Sequence, residues 1–299
     1  MIKKAALALL LAFVMLFVVG CGDGGGGNPV DTGLPANVGK DEFAGTTWED
    51  SGYEEGVFSF SNIYAFNQDG TAKYSYKVED FASDYYNAYD DYYYYSYDSE
   101  KGFLYLKYKS IDYFSDGKQY TSCPSKDDYW EFLVKDYGSE EGANDFLEER
   151  GMTLDEGYEN LKKSFNNLMN RIITYPYEIV TEGDNTELRL YYYYGDSLIF
   201  EDSTVDFSPY HTGGVFDFTS EWNSENESWA YELVIHGEEG DETYTITEIN
   251  GNTITWSNGS TSDCTLVWNN EIKGYVLYFD FGGKEYDVSF SSWRFFIKK

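Results

Sequence analysis

The three cysteines are the residues whose chemistry this sequence constrains most closely. Cys21 follows an apolar run from Ala5 to Val19, whereas Cys123 and Cys264 lie far apart in the polar body of the chain. A cysteine thiol can be acylated, can be oxidised to a disulfide, or can stay free and buried. We expect acylation at Cys21. For Cys123 and Cys264 the sequence leaves open both a disulfide bridge and two free thiols.

Other groups that perform catalysis are sparse or uninformative. The chain has two histidines, His211 and His236, and neither lies in a two-histidine metal-binding spacing. The sequence contains no Gly-x-Ser-x-Gly elbow, P-loop or dinucleotide-binding glycine fingerprint. Glycoside hydrolases use a pair of carboxylates. The chain has 53 Asp and Glu residues, so the presence of such pairs does not indicate this activity. We therefore expect no catalytic residue and a protein that is not an enzyme, with an envelope hydrolase as the least favoured alternative.

The first 27 residues have the pattern of a secretion signal. Lys3 and Lys4 precede the apolar run from Ala5 to Val19, and small residues follow it. The run is short for a transmembrane helix, which needs about 20 residues. Its end, Val18-Val19-Gly20-Cys21, resembles the lipobox of bacterial lipoproteins.

The lipobox resemblance implies cleavage before Cys21 and attachment of lipid to its sulfur. Residues 1–20 are then a signal peptide, and residues 21–41 are a lipid-anchored, flexible tether. The glycine tract from Gly24 to Gly27 suits such a tether, because glycine-rich segments behave as random coils. The expected location is the cell envelope, at the outer membrane or the cell surface, with the membrane as a partner through the lipid on Cys21.

The composition limits the classes of partner. The formal net charge is −32, which excludes nucleic acid as an expected partner because phosphate binding requires a basic surface. Aromatic residues make up 20% of the chain, so it can build a substantial core despite its charge. No cofactor is expected. Ca²⁺ is the cation to consider, since it prefers carboxylate oxygens. Asp80, Asp84, Asp90 and Asp91 beside the tyrosines could bind it, but they lack the ordered spacing of a Ca²⁺ loop, so we expect solvated carboxylates there.

Hydrophobic periodicity predicts a mainly β protein with two antiparallel β-barrel or sandwich domains. The first is expected at residues 42–207 and the second at 215–299. A helical pattern at 125–170 interrupts the first domain. Ser125 with Asp128 and Thr153 with Glu156 have the spacing of capping boxes within that pattern. An insertion between two strands of one sheet is the simplest account of it.

Four positions give the first domain a resemblance to the lipocalin-like domains of bacterial lipoproteins. Gly45 and Trp48 resemble the Gly-x-Trp motif that begins the first strand of lipocalins, and Asp69-Gly70 turns the first hairpin. In lipocalins an arginine lies over that tryptophan, and Trp293-Arg294 resembles it late in the chain. The resemblance implies an antiparallel barrel closed on itself, which holds one small ligand or is filled by side chains.

Tyrosines crowd the stretch from Tyr85 to Tyr97. They are Tyr85, Tyr86, Tyr89, Tyr92, Tyr93, Tyr94, Tyr95 and Tyr97. One interpretation is amphipathic strands or a loop covering a barrel end, with the rings on the core. The other is a recognition surface, because tyrosine offers a large and stiff contact area with a polar tip.

Together these patterns predict a membrane-anchored, extracytoplasmic lipoprotein that binds or interacts at the cell envelope. The partner is an unknown protein, a glycan or a small apolar ligand. Trp222, Trp229, Trp256 and Trp268 suit a glycan if they are exposed, because sugars stack on indole rings, although most tryptophans in strands belong to the core. The alternative is a structural or adhesive surface protein whose barrels are filled by side chains.

Overall fold

A computed structural model of the protein describes residues 32–54, 57–81, 85–195, 197–198, 211–223, 228–237, 240–291 and 293–299. Cys21 and the predicted leader lie outside the described residues. The described chain forms two compact units. The first extends to Arg189 and also takes up Phe295–Lys299, and the second is Leu190–Arg294.

Strands dominate both units, and three helices belong to the first. The strands are β1 (Thr47–Glu54), β2 (Phe58–Phe66), β3 (Thr71–Asp80), β4 (Tyr85–Asp98), β5 (Phe103–Ser110), β6 (Ile172–Glu182), β7 (Asn185–Tyr191), β8 (Ser197–Leu198), β9 (Phe216–Asn223), β10 (Ser228–Ile235), β11 (Glu242–Asn250), β12 (Thr253–Trp256), β13 (Thr261–Asn269), β14 (Gly274–Phe281), β15 (Lys284–Phe290) and β16 (Trp293–Lys298). The helices are α1 (Lys126–Tyr137), α2 (Glu140–Glu149) and α3 (Leu154–Asn170).

The first unit is a closed barrel of eight strands in the order β1-β16-β7-β6-β5-β4-β3-β2. Neighbouring strands from β1 to β6 pair in antiparallel fashion. Closure removes unpaired sheet edges, which would otherwise invite aggregation. The predicted fold class, mainly β with antiparallel sheets and a helical insertion in the first, is therefore confirmed.

The predicted domain boundaries need correction at the end of the chain. The sequence assigned residues 215–299 to the second domain, yet β16 pairs with β1, aligning Trp48 with Lys298 and Glu49 with Ile297. The first barrel needs this strand, because without it β1 would keep an open edge. The second unit is thus inserted in the sequence between β7 and β16, and it begins at Leu190 rather than at 215.

The helical insertion lies where the sequence predicted it. β5 and β6 pair directly, so the three helices occupy the connection between two neighbouring strands. Both capping boxes form, with Ser125 capping α1 and Thr153 capping α3. The helices enclose a core of their own, in which Leu133 and Phe165 are fully buried. No helix in the described part of the chain is both long and apolar enough to cross a membrane.

The second unit is one antiparallel sheet in the order β15-β14-β13-β12-β11-β10-β9, with the short β8 paired to β13. Its strands alternate buried and exposed residues, as in β13, where Cys264, Leu266 and Trp268 are buried. Trp256 is almost completely buried in the same core. Trp256 and Trp268 are therefore not available to stack on a sugar.

The lipocalin-like motif residues have structural roles at one end of the first barrel. Gly45 has a φ of +74°, a conformation that favours glycine, and its N–H donates to the carbonyl of Phe66 over 2.9 Å. The Trp48 indole is buried, and its Nε1 donates to Thr46 Oγ1 over 2.7 Å. The cation over this ring is Lys298, whose Nζ lies 5.7 Å from the centroid. The sequence had suggested Arg294 for that role.

The other motif pair turns the β2–β3 hairpin as predicted. Asp69 Oδ1 accepts hydrogen bonds from the backbone N–H and the hydroxyl of Thr71, at 3.0 and 2.6 Å. These bonds hold the pKa of Asp69 below its usual value. Gly70 has a φ of +79°, which a side chain would strain. The four motif residues therefore shape the barrel end and its first hairpin.

The two remaining cysteines are both free thiols. Cys123 is half-buried beside the helical core of the first unit, and Cys264 is packed in the core of the second. Burial raises the pKa of the Cys264 thiol to about 11. The disulfide that the sequence left open is therefore not formed, because each thiol is packed within its own unit.

The closure by β16 can be tested with two adjacent phenylalanines. Phe296 is 1% exposed and its ring lies 5.3 Å from that of Tyr64, whereas Phe295 is 50% exposed. We expect Phe296→Ala to lower the free energy of unfolding by about 3–5 kcal/mol, since it empties a packed site in the barrel. Phe295→Ala should cost far less. Denaturant unfolding measures both, and equal losses would contradict the assignment of β16 to the barrel.

Candidate binding site in the first barrel

The tyrosine segment is a single strand, β4, and its side chains alternate between the two faces of the barrel wall. Tyr93, Tyr95 and Tyr97 are buried inside the barrel. Tyr92 and Tyr94 face the other way, where Lys73 and Lys109 lie over their rings at 5.9 and 5.6 Å from the centroids. The alternation follows from the two-residue period of a strand. The segment is therefore not one continuous recognition surface, as one interpretation of the sequence had it.

Asp91 lies at the centre of the inward-facing tyrosines. Along β4 it stands between Tyr89 and Tyr93, two residues away on either side. Across the sheet, Tyr74 of β3 is its direct register partner. Tyr108 of β5 is the partner of Tyr93, next to a shift of register that marks a β-bulge.

Ring contacts join these tyrosines in two groups. Tyr93 and Tyr108 have centroids 4.6 Å apart, and Tyr74 lies 6.2 Å from Tyr89. Tyr89 also stacks on Tyr76 at 4.9 Å. We call Asp91 with Tyr74, Tyr76, Tyr89, Tyr93 and Tyr108 the Asp91 cluster. Much of this half of the interior is thus built from phenol rings around one carboxyl group.

The Asp91 carboxyl is 5% exposed, and its Oδ1 accepts a hydrogen bond from the backbone N–H of Asp112 over 3.2 Å. Burial raises the pKa of Asp91 to about 7, and the negative charge of Asp112 acts in the same direction. The Asp112 carboxylate itself accepts the N–H groups of Asp116 and Gly117. Asp91 thus carries a proton that it would lose near neutral pH.

The phenols around Asp91 are held in their neutral form. Burial raises the pKa of Tyr89 and of Tyr93 well above the usual value, and the charge of Asp91 adds to the effect. Burial and the charge of Asp91 raise the pKa of Tyr108 as well. The cluster therefore offers neutral aromatic rings with hydroxyl donors, together with one carboxyl that can change its charge.

One end of the barrel is sealed by aromatic rings. Phe43, which precedes β1, is fully buried, and its ring lies 4.9 Å from the rings of both Phe66 and Tyr177. Tyr95 and Tyr97 stand 6.4 Å from it. This plug closes the end at which the β2–β3 hairpin turns.

The opposite end exposes a group of large apolar side chains. It contains the β1–β2 and β3–β4 connections, because antiparallel strands put alternate turns at opposite ends. The β5–β6 connection with its three helices lies at this end as well, and Tyr108 packs against the helical core. Tyr53, Val57, Phe81, Tyr85 and Tyr86 are all exposed there, with Tyr53 at 69%. The N–H of Phe81 donates to the carbonyl of Val57, and the rings of Tyr53 and Phe81 are 6.4 Å apart. We call these five residues the rim.

The described part of the second unit contains two groups of polar side chains. His236 lies between two aspartates. Its Nδ1 is 3.1 Å from Asp241 Oδ1, and its Nε2 is 3.3 Å from Asp217 Oδ2. Hydrogen bonds to Asp241, and to a smaller extent to Asp217, raise the pKa of His236. Because a neutral imidazole has a single N–H, the double contact favours the imidazolium form. His211 instead stacks on Phe216 at 4.3 Å.

The other group forms an acidic depression on the exposed face of the second sheet. Asp263, Asp280 and Glu285 line it beside the exposed ring of Tyr278, in a volume of about 290 Å³. Among the described residues, no three histidine, cysteine or acidic side chains are placed so that they could hold a metal ion.

The acidic residues near the tyrosines, considered for Ca²⁺, are separated by the fold. Asp90 faces outward, where Lys73 pairs with it at 2.8 Å and Ser75 donates to it over 2.6 Å. Asp91 faces inward, as its position on β4 requires. Asp84 lies outside the described residues.

The comparisons with known proteins provide no assignment. No protein-family model, no curated protein and no solved structure matches this chain. The resemblance to lipocalin-like domains therefore stays a prediction, and any function must be argued from the side chains.

Replacing Asp91 tests the electrostatics of this site. A carboxyl with an ordinary pKa of 3.8 and a folded pKa of about 7 binds its proton more tightly in the folded chain. Stability then falls as the pH rises between these two values and levels off above them. We expect Asp91→Asn to be more stable than the unmodified protein, by less than about 1 kcal/mol at pH 4 and on the order of 4 kcal/mol at pH 8.

The matched control is Asp90→Asn, which changes the neighbouring carboxyl on the outer face. It removes a partly exposed ion pair with Lys73, so its effect on stability should be small. Unfolding by denaturant from pH 4 to pH 8 measures both variants. Parallel curves for the unmodified protein and Asp91→Asn would show that Asp91 titrates normally.

Proposed function

We propose that this chain is a lipid-anchored binding protein of the cell envelope, and that its first barrel takes up a small ligand at the tyrosine-lined end. The observation that carries the proposal is the asymmetry of the barrel. One end is plugged by Phe43 and its neighbouring rings. The other end carries the exposed rim and the helical insertion and contains the buried Asp91 cluster. Ligand sites commonly pair an apolar lining with a few polar groups that fix orientation.

The anchor places this site beyond the membrane. The lipobox resemblance at Cys21 supplies the lipid, and the residues that follow supply a flexible tether. Two or more acyl chains hold a protein firmly at a bilayer, whereas one chain gives only reversible attachment. The strongly negative body disfavours contact with anionic lipid, so the barrel is expected to stand off from the surface.

The rim favours one alternative, an adhesive or structural surface protein with a filled barrel. Rings already occupy much of the interior, and the exposed tyrosines of the rim have the composition of protein interfaces. In this case the partner would bind to Tyr53, Phe81 and Tyr86 from outside, and no small molecule would enter the barrel.

Mass spectrometry of protein purified from membranes tests both parts of the proposal. Under denaturing conditions we expect a chain that begins at Cys21 and carries lipid. Under native conditions we expect an additional small-molecule mass that is lost on denaturation. Cys21→Ser should lack the lipid and leave the membrane fraction, whereas Cys123→Ser should stay in it.

A pair of alanines on opposite faces of the barrel provides the control for ligand binding. Ala72 is fully buried and faces inward opposite Tyr93, so Ala72→Phe should fill the interior and displace the ligand. Ala65 on β2 faces outward, and Ala65→Phe should keep it. An unmodified Cys21 would contradict the anchor, and a native mass without any adduct would favour the adhesive alternative.

A further inference from the structure

The Asp91 carboxyl is buried and is not paired with a basic side chain of the described residues, although the charge of Arg171 acts on Tyr108 in the same cluster. Of the ion pairs in the described part of the chain, none includes Asp91, and the nearest acidic neighbour on its own strand, Asp90, is paired with Lys73 on the other face. Asp112 adds a second negative charge nearby. A buried carboxylate normally has a cationic partner, because its desolvation is otherwise costly.

Aromatic rings surround this carboxyl on the inner face of the barrel. Tyr89 and Tyr93 flank it along β4, and Tyr74 stands directly across from it on β3. The faces of such rings carry negative potential and attract cations within about 6 Å of the centroid. A carboxyl among several phenol rings is therefore a favourable environment for an organic cation.

We propose that the Asp91 cluster binds a small organic ammonium ion, with Asp91 as its counter-charge and the rings of Tyr74, Tyr89 and Tyr93 around its alkyl groups. This proposal rests on the proposed function, since it names the chemical class of the ligand that the barrel takes up. It narrows the small apolar ligand expected from the sequence to one that also carries a positive charge.

The surroundings of Asp91 favour an organic cation over other occupants. Ca²⁺ takes six to eight oxygen ligands, and one carboxyl among phenols does not offer them. A neutral apolar molecule would offer Asp91 no counter-charge, so the carboxyl would have to stay protonated when such a molecule is bound. An anion would meet both Asp91 and Asp112. A cation with an apolar shell, in contrast, pairs with the ionised carboxyl and packs against the rings.

Part of the cluster is accessible to solvent. Tyr76 and Tyr89 are only partly buried, although Asp91 and Tyr93 beside them are almost completely covered. Tyr108 instead packs against the core of the helical insertion. Tyr76 and Tyr89 lie on β3 and β4, the strands whose connection carries Phe81 and Tyr85 of the rim. We expect a ligand to approach Asp91 from the rim along these two rings.

Calorimetric titration with choline tests the proposal, using the protein from Asn28 onward, which retains every described residue. We expect choline to bind and 3,3-dimethylbutan-1-ol, its uncharged analogue of the same shape, not to bind. Methylammonium serves as a smaller probe of the same charge. Asp91→Asn should weaken choline binding by about tenfold or more, because the buried counter-charge is lost. Asp90→Asn should change it by less than about twofold, because that carboxyl is exposed and faces away.

Three results would overturn the cation site. In the first, neither choline nor methylammonium binds. In the second, choline and the neutral alcohol bind with equal affinity. In the third, Asp91→Asn leaves the affinity for choline unchanged. The comparison of choline with the alcohol uses the unmodified protein, so it stands even if a variant folds poorly. If membrane-purified protein carries another small molecule while choline fails, the ligand-binding function stands and only the organic cation is rejected.

Discussion

The pairing of β1 with β16 is the constraint on which the interior of the first barrel depends. It aligns Trp48 with Lys298, residues at opposite ends of the sequence, and so turns an open sheet into a closed one. Only after closure do the inward residues of β3 and β4 face an enclosed space. The burial of Asp91, and hence its unusual pKa, follows from this pairing.

The closed barrel divides its interior into two environments. Around Phe43 and Trp48 the rings pack on one another and their polar tips are hydrogen-bonded. The Trp48 indole donates to Thr46, the Tyr95 hydroxyl to the carbonyl of Asn67, and the Tyr177 hydroxyl to Glu42. Around Asp91 the rings are phenols, and the carboxyl has hydrogen bonds but no ion pair. The first environment stabilises the fold. The environment around Asp91 lowers the stability of the fold at neutral pH unless a cation or a proton neutralises the carboxyl. Ionisable groups with perturbed pKa values are typical of binding sites.

Local patterns in the sequence predicted most of the elements. The capping boxes at Ser125 and Thr153 located two helices, and alternation located the strands of both units. The position of β16 could not be predicted in this way, because a pairing between Trp48 and Lys298 leaves no local signal. The second unit was for the same reason taken as a separate domain at the end of the chain, whereas it is inserted between β7 and β16.

The sequence predicted only part of the candidate site. The tyrosines of β4 stood out by their number, yet Asp91 was grouped with solvated acidic residues because carboxylates are usually exposed. Strand alternation places Asp91 on the same face as Tyr89 and Tyr93, so this signal was present. Tyr74 and Tyr108 needed the register of β3 and β5, which the sequence does not define, particularly beside a β-bulge.

The most direct test of this account is the titration of the Asp91 carboxyl itself. Carbon-13 NMR of the side-chain carboxyl groups, assigned by comparison with Asp91→Asn, follows it from pH 3 to pH 9. The account predicts a midpoint near pH 7 in the free protein and a lower midpoint when choline is added. A midpoint close to the ordinary 3.8 would mean that Asp91 is solvated or already paired, and would contradict the account.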